Sequence, residues 1–483
     1  MKPFETHRMN PNIASCPGLL SAAIGTGLPQ RGDRARAGPL ATLALTAFLG
    51  CATSAEATTS IVVTTTQDPN LSFSLVGLRD AIDQANANSL SDSVISFAPG
   101  LMGKTITLHG GELAITRYVS IVGPGAGNLT ISGNDASRIF HVIGPGKEGS
   151  PVILSVSGLT LTRGASPAGQ GGGAIDAEGQ TSLQLVDSVI SSSHAAYGGA
   201  VATIGVFAKG LLKYYCAGDL TVAGSVISGN SATQDGGGIF AGFCTGTTVY
   251  YSTLIGNSAY DYGGGLLASG PFAVQIFGSL ITGNTVGGPA SPVMGGAGIA
   301  VNNVYHSVDI QDSTISGNIA MAEGGGVAIL DAISGDSTTI DSSTITGNYG
   351  YDFPGQGIAA VGGSPYLINS IVANNYSRFE GEDLAGSFSS YYSLIKTPGG
   401  SATIGGSGNI FGQDPLLGPL RDNGGFTLTM LPAAASPVIN TGATTLTTDQ
   451  RGFSRPAGAG SDMGAVERQY PEPLVFRSGF DPP

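Results

Sequence analysis

Between Ser188 and Asn375 the apolar residues come in short runs, each bounded by Ser, Thr, Gly or Asn, and no helical period links them. The phrase S-x-I-x-G-N carries the pattern: SVISGN at Ser225–Asn230, STLIGN at Ser252–Asn257, SLITGN at Ser279–Asn284, STISGN at Ser313–Asn318 and STITGN at Ser343–Asn348. Looser copies begin at Ser188 and Ser370. The asparagines recur at intervals of 27, 27, 34 and 30 residues, and glycine clusters such as Gly236–Gly238, Gly263–Gly265 and Gly324–Gly326 follow in phase. Val, Leu or Ile falls where a short strand would point inward, with Ser and Thr at the outward positions. A strand this short has no stability alone, but stacked on copies of itself it closes an apolar column. Gly-Asn supplies a bend, the glycine cluster a second corner, and the stacked asparagines an amide ladder.

The pattern predicts an all-β fold, a single-stranded parallel β-helix; the right hand is an expectation of the fold type. Short strands are expected from Ile61–Thr66 onward, among them Val94–Phe97, Glu112–Ile115, Ile139–Ile143 and Val152–Thr160. The stretch Leu78–Asn86 is the one helical piece. Leu78, Ile82 and Ala85 share a face, and the helix is expected to cap the open end of the solenoid.

Ahead of the strands, Arg31, Arg34 and Arg36 flank an apolar run, Pro39–Leu-Ala-Thr-Leu-Ala-Leu-Thr-Ala-Phe-Leu49, that is too short to span a bilayer. With Ala55-x-Ala57 after it, this predicts a leader and signal peptide over 1–57. A lipid anchor at Cys51 is the lesser alternative to plain cleavage. The β-helix is then expected over 58–376, a turn-rich C-terminal cap over 377–468, and a tail that could sort the protein over 469–483. No other stretch is apolar enough for a transmembrane helix.

The residues SLVGLRDAIDQANAN, DSVISFAPG, KTITLHGGELAITRYVSIVGPGAGNLTISGND and GLTLTRG resemble the N-terminal part of secreted bacterial right-handed β-helix proteins of the CSLREA type. The motif's cysteine has Phe73 or Leu75 near its place, and Asp80 stands where Glu is usual. The Gly-Gly phrases are similar to those in passengers of chlamydial-type polymorphic outer-membrane proteins. Beyond Asn375, NIFGQDPLLGPLRDNGGF, SPVINTG and DQRGFSRP…SDMGAVE resemble the choice-of-anchor C-terminal segment of such proteins. The resemblance implies a secreted or outer-surface β-helix. Arg451 or Arg455 could pair with Asp449, Asp462 or Glu467 to knit the cap.

Composition narrows the function. Charged residues make up only 11% of the chain, against about 25% in an ordinary domain. The balance is acidic, 20 Lys and Arg against 33 Asp and Glu, which argues against nucleic acid and anionic membranes as partners. Cys216 and Cys244 lie 14 and 13 residues before Asn230 and Asn257, in nearly equivalent places of successive coils. Coils about 4.8 Å apart suit a disulfide between them. The acidic candidates for chemistry are Asp187, Asp312 and Asp341, near the entrance of the S-x-I strand, with Asp309 beside them. A solvated, turn-capping Asp is their commoner use. No metal site or cofactor is indicated, except that loop carboxylates could hold Ca²⁺. Tyr260, Tyr262, Tyr349 and Tyr351 sit between Asn and the glycine cluster, where they could form a binding strip; packing of longer loops is the plainer use.

The reading that results is a monomeric, exported β-helix protein that works in adhesion or extracellular binding, with polysaccharide or a host or neighbouring surface protein as partner, and without chemistry. The first alternative is a polysaccharide lyase or glycoside hydrolase on a lateral face. It requires two carboxylates, or a carboxylate with Arg or Lys, converging on adjacent coils. The second alternative is a structural envelope or matrix component.

Overall fold

In a computed structural model of the protein, the residues described are 58–470 and 472, except 70, 71, 73, 90, 146–149, 209–212, 216–217, 244, 271–272, 288–294, 304–306, 322, 331–336, 352–353 and 379–380. The expected signal peptide, Cys51, Cys216, Cys244 and the tail beyond 472 lie outside the described residues.

One turn of the chain shows how these residues make a coil. Ile239–Ala241 runs along one face, Gly246–Tyr250 along a second and Thr253–Ile255 along a third, and the two-residue strand Ser258–Ala259 completes the circuit. In GTTVY burial alternates, with Thr247 and Val249 inward, and in Thr-Leu-Ile only Leu254 is buried. That is the period of a pleated strand. Pairing is parallel with the coils above and below: Val249 lies between Val222 and Ile276, and Leu254 between Ile227 and Ile281. Repetition of this unit makes the chain a single-stranded right-handed parallel β-helix. Among the described residues the first two faces form one sheet of 22 strands, joined where Leu384–Tyr391 pairs with both; the third face has 12 strands and the fourth six. The inward side chains form one continuous core from Ile61 to Ile395. Each buried Val, Leu or Ile contributes roughly 1.5–3 kcal/mol.

The bends are where the sequence is most constrained. Between the second and third faces a residue takes the left-handed conformation (Tyr251 at φ 49°, Gly278 at 59°, Asp312 at 44°), and a serine follows it. These serines do not face solvent as the strand alternation suggests; they are buried. The Ser252 hydroxyl donates to the Tyr250 carbonyl and accepts from the Ser225 amide one coil away. A bend leaves backbone groups unpaired, and the hydroxyl takes them up. The same left-handed requirement splits the expected strand Val152–Thr160 at Gly158, φ 61°.

After the third face comes the amide ladder. Asn230, Asn257, Asn284, Asn318 and Asn348 are all buried. The Nδ2 of Asn284 donates to Asn318 Oδ1 (2.9 Å) in the next coil and to the Leu254 carbonyl (3.0 Å) in the preceding one, while its backbone amide also donates to Asn318 Oδ1. The ladder ends on Asp383, whose Oδ1 accepts from Asn375 and whose Oδ2 accepts from the Thr397 amide. At the last corner the coils approach so closely that a Cβ on Gly264 would meet the Thr285 carbonyl oxygen at 2.5 Å. Only glycine fits there.

A helix covers the first coils, and the C-terminal segment covers a side wall. Helix α1, Leu78–Ala87, buries Leu78, Ala81, Ile82 and Ala85 against the first coils. Arg79 anchors it to Asp68 (2.7 Å) and to the Gly111 and Glu112 carbonyls. The turn-rich C-terminal segment folds back along the third face. Thr427 donates to the Gly278 carbonyl, Gln450 accepts from Thr314, Asn369 donates to the Asp462 carbonyl, and Val438 and Met463 pack on Ile371. Arg451 pairs with Asp449 (2.8 Å) and Arg455 approaches Glu467 (3.9 Å), as the sequence suggested; Arg455 also reaches Asp312 (3.4 Å) in the helix wall.

Two outcomes follow from this packing. Asn318→Ala removes the acceptor that both Asn284 amides share and takes one donor each from the Ile281 carbonyl and from Asn348 Oδ1, which keeps only the residue 318 backbone amide. It is expected to cost about 2–4 kcal/mol in denaturant titration. Burial first of all pushes Asp235, Asp383 and Asp462 up to about 6, whereas an unfolded Asp titrates near ~3.9. Between these values the folded chain binds more protons, so stability rises as pH falls through that window. The thermal midpoint is expected to be higher at pH ~5 than at ~7.5.

Candidate functional site

The second residue of each strand on the first face points outward, yet on most coils it is covered by the glycine corner that precedes the strand. In register this column reads Ala114, His141, Asp176, Ala202, Phe240, Leu267, Ala300, Ala328 and Ala359. Alanine suits the space: a Cβ on Gly296 would lie 2.7 Å from that of Ala300. Ala202, Ala300, Ala328 and Ala359 are fully buried. His141 and Asp176 break this apolar column on two adjacent coils. Polar residues in a buried position that accepts alanine elsewhere call for a reason.

Around Asp176, which is 0% exposed, the structure gathers four more ionisable side chains. Arg138, also buried, reaches Glu112 Oε2 at 2.8 Å and Asp176 Oδ2 at 3.1 Å. Its remaining donors bond Gln170 and the Gly171 and Gly172 carbonyls. The approach to Asp176 lies off the line of a hydrogen bond, so among the described residues neither Asp176 oxygen has a hydrogen-bond donor. His141 Nδ1 lies 3.0 Å from Glu112 Oε1, and Nε2, without a hydrogen-bond partner, lies 3.8 Å from Glu178 Oε2. Glu178, two residues after Asp176 on the same strand, has a side chain 45% exposed. The reactive atoms of His141, Asp176 and Glu178 fall within 4.8 Å of one another.

The electrostatics follow from this arrangement. Burial pushes Asp176 up to about 6, opposed by Arg138. The neighbouring Glu178 raises the His141 pKa, burial opposes it, and Glu112 adds to the rise. His141 in turn holds Glu178 below the usual carboxylate range. The site can therefore supply an exposed carboxylate, an imidazole oriented by a second carboxylate, and a fixed guanidinium. These are the groups needed for proton transfer or for holding a cation.

Sequence reasoning did not single out any residue of this cluster. The usable signal was Ile175-Asp-Ala-Glu178, which carries two acids where the matching strands read Val201-Ala-Thr-Ile204 and Val327-Ala-Ile-Leu330. Of the acidic residues singled out instead, Asp187 and Asp312 lie on the bend between the second and third faces, Asp341 ends the second-face strand before it, and Asp309 lies within that face. Asp187 and Asp312 are separated by four coil steps, through Gly224, Tyr251 and Gly278, or roughly 19 Å, which is too far for a shared reaction. Asp312 and Asp341 are on adjacent coils, but Asp312 is buried under the C-terminal segment beside Arg455, and burial raises its pKa well above normal. Burial likewise raises Asp187, Asp309 and Asp341.

The tyrosines divide between two places on the fourth face. Tyr260 and Tyr351 follow Ala259 and Gly350, which share one column, so they stand in line with Gly287 and Met321 between them. Three coil steps, roughly 14 Å, separate them. Tyr349 meets Tyr351 at 6.5 Å and Tyr376 at 5.3 Å between ring centroids, and Arg378 lies 5.7 Å over the Tyr351 ring. Tyr376 is 51% exposed. Tyr262 is half-buried beside the Gly263 corner.

No known family pattern matches this chain, and no curated protein matches its sequence. Among solved structures the chain is similar to pectate lyase Pel9A, at 15% identity and a TM-score of 0.45 over 85% of this chain and 96% of that one. It is also similar to the A-module of Azotobacter vinelandii mannuronan C-5 epimerase AlgE6, at 12% identity and a TM-score of 0.34 over 70% of this chain and 94% of that one. At these levels neither likeness bears on what this chain does.

Arg138→Met strands the Asp176 carboxylate in the wall and is expected to cost about 3–5 kcal/mol. Adding Asp176→Ala, the residue the column usually holds, should recover the share due to that charge. A double-mutant cycle in denaturant checks this; purely additive losses would contradict it.

Proposed function

We propose that this protein is an exported, surface-associated β-helix that binds extracellular polysaccharide through the tyrosines of its fourth face. The observation that carries the reading is the Tyr349–Tyr351–Tyr376 group. Its rings contact one another at 5.3 and 6.5 Å, and Arg378 braces it by donating to the Tyr351 hydroxyl (2.9 Å). Aromatic rings held in place while one remains largely exposed offer apolar faces to pyranose rings and hydroxyls to their edges. Tyr260 lies in line along the coils, where an extended polymer would reach it. Export is supported by the apolar leader before Ala57 and by the resemblance to CSLREA and choice-of-anchor proteins. The low content of charge fits an uncharged ligand surface, and the chain is taken to act as a monomer.

A second reading, a polysaccharide lyase or glycoside hydrolase, is favoured by one observation: Glu112, Arg138, His141, Asp176 and Glu178 converge on adjacent coils of the first face. The two readings place the ligand on different faces. Binding of the purified chain to neutral and acidic polysaccharides, followed by assay for reducing and unsaturated ends, separates them. Under the binding reading Tyr349→Ala, Tyr351→Ala and Tyr376→Ala each weaken affinity roughly tenfold, and no new ends appear. Cleavage that survives Tyr376→Ala and is lost in Glu178→Gln would replace the binding reading with the enzyme.

A further inference from the structure

We propose that His141, Asp176 and Glu178 form a binding site for a first-row divalent metal ion of the zinc class. An acidic cluster alone would not make such a site; two independent features of this one do. The first is Asp176, which is fully buried while both its carboxylate oxygens lack a hydrogen-bond donor among the described residues. A buried carboxylate normally collects donors, and leaving it without them is costly. The second is the orientation of His141. Its Nδ1 faces Glu112 Oε1 at 3.0 Å. Donation of the Nδ1 proton to that carboxylate places the lone pair on Nε2, as in the carboxylate–histidine pairs that orient metal ligands. Among the described residues that Nε2 has no hydrogen-bond partner and lies 3.8 Å from the Glu178 carboxylate, so in this tautomer acceptor confronts acceptor and a proton or a cation must lie between them.

The charge and geometry suit a divalent ion. Glu112, Asp176 and Glu178 bring three negative charges against the single positive charge of Arg138, and a divalent cation balances the remainder. The three ligand atoms lie within 4.8 Å of one another. A tetrahedral ion with bonds of about 2.0–2.2 Å holds its ligands roughly 3.4 Å apart, so side-chain rotations of under ~1 Å close the site. One imidazole nitrogen with two carboxylates favours zinc, cobalt or manganese over calcium, which takes oxygen ligands. Three protein ligands leave a fourth position for water. Arg138 holds Asp176 Oδ2 and Glu112 from the other side, which fixes both carboxylates without occupying Asp176 Oδ1.

The test needs no glycan, so its result is independent of the proposal for the fourth face. The full chain, stripped with a chelator, is titrated with Zn²⁺ by calorimetry and with Co²⁺ by visible absorption, with Ca²⁺ as the competing probe. The site predicts about one Zn²⁺ per chain, a Co²⁺ band of low-coordinate type, and a raised thermal midpoint on metal addition. His141→Gln and Glu178→Gln abolish the Co²⁺ band while leaving the metal-free midpoint near that of the parent. Glu112→Gln weakens binding roughly 10–100-fold. Absence of Zn²⁺ binding would mean that protons alone settle the cluster and would overturn the proposal. So would binding that persists in both His141→Gln and Glu178→Gln, or a site that prefers Ca²⁺.

Discussion

The side-chain amide of Asn284 joins three coils: it donates to a carbonyl of the coil before and to an amide oxygen of the coil after, and its own oxygen accepts from Asn257. The rest of the structure depends on this kind of bond. A chain that turns every few residues to stack strands about 4.8 Å apart leaves backbone groups unpaired at each bend. Water has no access there. Buried Asn at one bend and buried Ser at another are short enough to fit and polar enough to pair those groups. Apolar columns supply most of the favourable energy, but the bends fix the length of each side and so the register of every strand.

That constraint explains what was legible in the sequence. Asn230 to Asn348 recur because the bend admits almost nothing else, and Gly264 is fixed by a carbonyl on its doorstep. The helix Leu78–Ala87 was legible from its apolar face. Less was visible where long-range packing decides. Nothing in Thr314, Thr344 or Asn369 announces that the C-terminal segment lies over them. Nor does the S-x-I phrase show that its first serine is buried at a corner, because hydroxyls suit either place.

The candidate sites were legible to different degrees for the same reason. Tyr349 and Tyr351 were found because they lie between Asn348 and the next glycine cluster, a loop that the repeat locates. Tyr376, which packs on Tyr349, follows Asn375 in a looser copy of the phrase with no glycine cluster in phase after it, and was not singled out. The cluster around Asp176 sits before the regular repeats begin, at coil spacings of 27 and 35 residues between Ala114, His141 and Asp176. Only the strand register puts these residues side by side. Once it does, their oddity is plain: they take a column that is otherwise apolar and place charge in it. Charge that a fold does not need for its own stability is retained for what it binds.

One measurement tests directly whether this charge serves binding and not the fold. Restoring the usual residues of the wall with His141→Ala, Asp176→Ala and Glu178→Ile, while Arg138 keeps Glu112 and its carbonyls, removes the cluster and leaves the coils intact. A function-bearing cluster predicts a denaturant midpoint at or above that of the parent for this triple variant in metal-free buffer. A loss of more than about 2 kcal/mol would show that these residues hold the fold together, and would contradict the account.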